Sequence, residues 1–242
     1  MTMLHPHQRT FVALDTTDVD HAEKLAESLK DHVGGMKVGK EFFTACGPAG
    51  VERIVACGMP VFLDLKFHDI PNTVAGAIRA AARLRPFMVN VHATGGVEMM
   101  RAALDAAREG GAAQGCAAPL VIAVTVLTSL NDEDLNRVGI SDSAHDQVLR
   151  LADLAQLCGL DGVVCSAREA SALKEQNGPD FKLVVPGIRP AWASGDDQKR
   201  IVTPARAVAD GADYLVIGRP ITGAENPVDA ADKVCAEIAA GE

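Results

Sequence analysis

Eight times along the 242 residues a short apolar, β-rich run gives way to a stretch with helical spacing, and this alternation restricts the chain to an α/β architecture. The runs are FVALD (11–15), GMKVG (35–39), VFLDLK (61–66), MVNVHA (88–93), LVIAVTVL (120–127), GVVCS (162–166), KLVVPG (182–187) and YLVIGR (214–219). Between them lie helical patterns such as DVDHAEKLAESLKDH and GVEMMRAALDAAREG, several of which stop at a glycine. Eight βα units predict a (β/α)8 TIM barrel, for which roughly 250 residues is typical. An open doubly wound sheet would instead need G-x-G-x-x-G after an early strand, and no such turn follows one. With no interior linker or low-complexity stretch, a single barrel domain over 1–242 is expected, its first ten residues (1–10) forming a short N-terminal extension.

The formal net charge of −9 argues against nucleic-acid or anionic-membrane partners, which need a basic face. A small anionic ligand is compatible with it, because a few placed cations suffice. The six cysteines are scattered without a C-x-x-C pair, so they read as free thiols rather than metal or redox groups. MTMLHPHQRT has no apolar signal core, and no apolar run reaches the ~18–20 residues of a membrane span. The expected setting is cytoplasmic.

Chemistry in such barrels gathers where the strands finish. Polar groups stand there on otherwise apolar runs: Asp15, Lys37, Asp64 with Lys66, His92, Thr128 with Ser129, Ser166, Arg189 and Arg219. Asp64 and Lys66 are two apart, so on a regular strand they share one face while Leu63 and Leu65 take the other. If the leucines pack against helices, the charges face the barrel mouth. The alternative is an ion pair that merely fills the barrel, but desolvating charges for packing alone is unfavourable. Lysine as a Schiff-base nucleophile needs burial or a cationic neighbour. Carboxylates at 64 and 69 favour the ammonium form, so Lys66 reads as a proton donor. Lys37, flanked by apolar residues, is either a snorkelling side chain or part of a charge network with Asp15 and Asp64.

Gly187 with Arg189 after the seventh run, and Gly218 with Arg219 after the eighth, suggest an anion pocket in the two loops where barrels often hold phosphate. The polar stretch at 188–203 is read as a lid loop carrying Gln198 and Arg200, or as an ordinary surface loop. His92 has no second ligand at metal spacing and is expected to be structural; no metal site is expected.

These motifs resemble, in order, those of the bacterial orotidine 5′-phosphate decarboxylase family: ALD (13–15), KVG (37–39), DLKFHDIPNT (64–73), VHATGG (91–96), VTVLTS (124–129), PGIRP (186–190), DDQKR (196–200) and IGRPIT (217–222). No position departs from the pattern. The resemblance implies decarboxylation of orotidine 5′-phosphate to uridine 5′-phosphate (UMP), without a cofactor. It makes Lys66 the acid at C6, sets Asp64 against the departing carboxylate, and gives Asp15 and Lys37 to the ribose. Thr128 and Ser129 would meet the pyrimidine, Arg189, Gln198, Gly218 and Arg219 would take the phosphate, and PGIRP, beginning with the substrate-binding Pro186, would open the lid. It also implies a homodimer in which Asp69, Ile70 and Thr73 reach the partner's site. Two alternatives are a Mg²⁺-dependent lyase of keto-sugar phosphates on the same D-x-K-x-x-D barrel, which Lys37 disfavours, and a non-catalytic nucleotide sensor, which has no need of so dense a charge cluster.

Overall fold

The computed structural model describes residues 4–193 and 202–241. Eight parallel strands, each paired with the next and the eighth with the first, close a barrel. They are β1 (Thr10–Leu14), β2 (Gly35–Gly39), β3 (Val61–Phe67), β4 (Met88–His92), β5 (Leu120–Val124), β6 (Gly162–Val164), β7 (Lys182–Pro186) and β8 (Tyr214–Ile217). Around them run α1 (Val19–Leu29), α2 (Lys40–Ala56), α3 (Pro71–Ala82), α4 (Gly96–Ala113), α5 (Asp132–Arg137), α6 (Ala144–Leu157), α7 (Ala170–Asn177), α8 (Pro204–Ala209), α9 (Arg219–Thr222) and α10 (Pro227–Gly241). The predicted TIM-barrel class is therefore the observed one.

Helix starts follow local chemistry. The Asp18 carboxylate accepts the N–H groups of Asp20 and His21, both at 3.0 Å, and caps α1, whose Ala22, Leu25, Ala26 and Leu29 then form one buried stripe. Thr203 caps α8 ahead of Pro204, and Pro71 occupies the first turn of α3, where a missing N–H leaves no gap. The short helix α5 lies between β5 and α6, where the sequence shows no helical pattern of apolar residues. It buries only Leu135, so no apolar stripe announces it, and a reciprocal Asn131–Asp134 capping box starts it instead.

Two apolar layers result from strand alternation. Val12, Leu14, Met36, Val38, Leu63, Val89 and Val91 point outward into the helix layer. Phe11, Ala13, Phe62, Met88, Ile122, Val184, Tyr214 and Val216 fill the barrel interior. Phe11 stacks on Phe87 and meets Tyr214 edge-on, which plugs the end where the strands begin. At the carboxyl ends this interior layer gives way to polar side chains. Among the described residues no helix is long and apolar enough to cross a membrane.

Candidate active site

Alternation on β3 puts Phe62 in the barrel interior and Leu63 in the helix layer, and Asp64 is buried at the mouth. The regular strand then ends. From Leu63 to Phe67 on β3 the ladder faces only Val89 to Val91 on β4, so β3 bulges. Within the bulge Lys66 has φ 52°, in the left-handed region. A side-chain-bearing residue held there costs about 1–3 kcal/mol and persists only where its surroundings enforce it. Leu65 still packs toward the helix layer, as expected, but Lys66 reaches the mouth through this turn rather than by simple two-residue alternation.

Lys66 Nζ donates to Asp64 Oδ1 at 2.5 Å, and Lys37 Nζ lies 3.5 Å from Asp64 Oδ2 and 3.6 Å from Asp15 Oδ1. The four residues thus form one chain of alternating charge, with Asp64 and Lys37 buried and Asp15 open to solvent. Burial pushes the Asp64 carboxyl upward, but the charges of Lys37 and Lys66 and the hydrogen bonds from Lys66 and Asn90 outweigh it and hold the group below the usual carboxylate range. Gly39 makes room for the array, since a Cβ there would stand 3.0 Å from Lys37 Nζ.

Asn90, fully buried on β4, does not figure among the residues that strand-end reasoning selects. Its Oδ1 accepts the Lys66 backbone N–H at 2.8 Å, and its Nδ2 donates to Asp64 Oδ1 at 2.7 Å. The available signal is its phase: it lies between Met88 and His92 on the inward positions of β4, a polar residue where apolar ones fill the neighbouring strands. His92, half-buried beyond it, sits with its ring 5.4 Å from that of His68. Burial, followed by the charges of His68, Lys40 and Lys66, lowers its pKa to about 4, so the imidazole is neutral at pH 7.

A cavity of about 480 Å³ opens at this mouth over Thr128, Ser166, Arg168 and Gly187, and two smaller ones beside it adjoin the charge array. One, of about 210 Å³, has an apolar floor (Phe62, Val124, Val164, Val184, Val216) and a polar wall of Lys37, Asp64, Lys66 and Thr128. The other, of about 230 Å³, shares Lys37, Pro186 and Val216 with it and adds Asp15, Arg189, Gly218 and Arg219. The β7 turn is made at Gly187, whose φ of 77° suits a residue without a Cβ. Beyond it the Arg189 N–H donates to Val202 O at 3.2 Å, closing the base of the 188–203 loop. A cleft of about 440 Å³ near Asn177 lies where β5, β6 and β7 begin, away from these charges.

The candidates do not all converge. Asp15, Lys37, Asp64, Lys66, Thr128, Pro186, Arg189, Gly218 and Arg219 line the two cavities. Ser129 is exposed beside Thr128 and lines neither; it lies in the turn that Leu130 N–H closes on Leu127 O, beyond the end of β5 at Val124. Asp69, Ile70 and Thr73 stand exposed at the start of α3, outside both cavities; Asp69 Oδ1 accepts the Ile70 N–H at 2.7 Å, and Ile70 is 67% exposed. Gln198 and Arg200 lie outside the described residues.

A closed parallel barrel with an Asp-x-Lys charge array at its carboxyl end defines a class, the (β/α)8 barrel enzymes, whose chemistry gathers where the strands finish. Comparison with known proteins narrows this. The model of the orotidine 5′-phosphate decarboxylase / HUMPS family matches residues 8–234. An orotidine 5′-phosphate decarboxylase of Rhodospirillum rubrum is 57% identical over 229 residues, covering 94% of this chain and 93% of its own. One from a Geobacter species is 50% identical over the full length of both. The solved structure of orotidine 5′-phosphate decarboxylase from Lactobacillus acidophilus superposes with a TM-score of 0.84 at 38% identity, covering 95% of this chain and 98% of that one. The chain belongs to the orotidine 5′-phosphate decarboxylase / HUMPS family.

Proposed function

We propose that this protein converts orotidine 5′-phosphate to UMP and carbon dioxide, with Lys66 as the proton donor to C6. The observation that carries this reading is the Lys37–Asp64–Lys66 array over an apolar floor. When the C6–carboxylate bond breaks, its electron pair stays in an orbital at C6 that lies in the plane of the ring and cannot delocalise into it. A fixed cation beside that carbon stabilises the charge as it forms, at no cost of reorganisation. The Lys66 ammonium is such a cation, held by Asp64. It then transfers a proton to C6 and recovers one from solvent, so no electron acceptor is needed.

Family membership and the cavity linings support the remaining placements. Arg189, Gly218 and Arg219 take the phosphate, joined, on the family resemblance alone, by Gln198. Asp15 and Lys37 hold the ribose hydroxyls, and Thr128 and Pro186 flank the pyrimidine. Asp64 faces the departing carboxylate. Lys37, rather than a carboxylate, in the middle of β2 disfavours the Mg²⁺-dependent alternative, because it would repel a divalent ion. The direct test is the change in ultraviolet absorbance of orotidine 5′-phosphate on addition of purified protein treated with a chelator. Full turnover is expected; turnover that vanishes and returns with Mg²⁺ would contradict the reading.

The exposed Asp69, Ile70 and Thr73 support a homodimer in which each subunit lends them to the other's site. Mixing Asp69→Ala and Lys66→Ala subunits is then expected to restore activity, since one site in the heterodimer keeps both residues. No recovery in heterodimers isolated by two affinity tags would rule out shared sites.

A further inference from the structure

The bulge in β3 leaves a problem that one side chain solves. Between Leu63 and Phe67 the β3–β4 ladder loses its register, and within that gap Lys66 adopts φ 52°. Its N–H has no place in a regular ladder there, and the Asn90 side-chain oxygen takes it at 2.8 Å. The other half of the same amide donates at 2.7 Å to Asp64 Oδ1, the oxygen that also receives the Lys66 ammonium at 2.5 Å. One planar group therefore ties the backbone of Lys66 to the carboxylate that holds its side chain. The orientation is unique: turned over, the amide would set oxygen against carboxylate and NH₂ against N–H. Asn90 is 0% exposed, so its amide is shut off from solvent and depends on these two partners.

We propose that Asn90 is a positioning residue for the decarboxylation, fixing where the Lys66 ammonium stands by holding both the bulge and Asp64. This rests on the decarboxylase reading given above. Asn90 does not line either cavity, so nucleotide affinity is not its province. Displacing a reacting group by about 1 Å can lower a rate by roughly 10²-fold. Asn90→Ala is accordingly expected to lower kcat by about 10- to 10²-fold, with UMP affinity within about threefold of wild type.

Asn90→Asp supplies a readout that a packing role would not move. A protonated Asp at this position keeps the pattern, its O–H donating to Asp64 and its carbonyl accepting from Lys66; an ionised one sets two carboxylates face to face. The charged groups around it are Asp64 and Lys66 on β3 and Lys37 on β2 with Asp15 beyond, and the titratable ones include His92 on β4 with His68 behind it; across the barrel sheet its β5 neighbour is the apolar Ile122. The ratio of kcat for Asn90→Asp to that of wild type is therefore expected to rise as pH falls from about 8 to about 5, as one shared proton returns.

The experiment measures kcat and UMP affinity for wild type and both variants across that range. Reduced kcat in Asn90→Ala at preserved UMP affinity, with an acid-rescued Asn90→Asp, supports the assignment. A kcat for Asn90→Ala within about twofold of wild type, a parallel loss of UMP affinity, or a ratio that is flat with pH each overturns it, as judged against the positioning magnitude above. Should Asn90→Ala not fold, the ratio for Asn90→Asp decides alone. Absence of wild-type turnover in the same assay overturns the decarboxylase reading and this one together, whereas wild-type turnover with a fully active Asn90→Ala overturns this one only.

Discussion

Alanine in place of Lys66 is expected to lower kcat by at least about 10⁴-fold, because one nitrogen supplies both the general acid and the cation opposite the developing charge. UMP, which lacks the reacting carboxylate, is expected to bind with affinity close to wild type. The variant is also expected to fold. Asp64 keeps its hydrogen bond from Asn90 at 2.7 Å and its Lys37 neighbour at 3.5 Å, so no buried charge is left without a partner. Loss of the Lys66 side chain also leaves its strained backbone in place, since the Asn90 bond is made to the main-chain N–H. Steady-state turnover beside calorimetric binding of UMP checks both halves. Turnover within tenfold of wild type would remove Lys66 from the chemistry.

Arg219→Ala is expected to lower kcat/KM by about 10²–10³-fold, the scale of removing one member of a charge-assisted pair. Arg219 begins α9 at the edge of the cavity that it shares with Arg189 and Gly218, away from Lys66. The phosphate is remote from the bond that breaks, and an enzyme uses such binding energy to organise the reacting centre. Both kcat and KM should therefore worsen. Uridine, which lacks the phosphate, serves as the control: its weak binding should be the same in wild type and variant. An equal loss for UMP and uridine would place Arg219's effect on the nucleoside instead.

Most of the barrel is legible in the sequence because its strands are apolar runs bounded by glycine, proline or charge. β2 occupies 35–39 as expected, and β4 and β7 end one residue early. β5 and β6 are shorter than their apolar runs: past Val124 the Thr125 hydroxyl donates to Val164 O at 2.9 Å, and the ladder stops there. α5 stays hidden because capping, not a buried stripe, defines it.

The site is legible in part for a similar reason. Polar residues that end apolar strands announce themselves, and Asp15, Lys37, Asp64, Lys66, Arg189 and Arg219 all come to the two cavities. The bulge at Lys66 does not announce itself, because a positive φ is signalled by glycine, asparagine or aspartate, and lysine carries no such mark. Asn90 is missed because it lies within a strand rather than at its end; only its inward phase marks it. Ile70 is exposed, as Val138 and Leu157 also are, so its exposure alone names no role; its reading comes from the family resemblance and its test from mixed subunits.

Whether the Lys66 ammonium stands within proton-transfer reach of C6 is tested by the reverse step. By microscopic reversibility the amine that protonates C6 in one direction removes that proton in the other. UMP incubated with wild-type protein in deuterium oxide is therefore expected to lose its C6–H signal in the proton NMR spectrum, and UMP with the Lys66→Ala protein is expected to keep it. Exchange at the same rate in both would contradict the assignment of Lys66 as the proton donor.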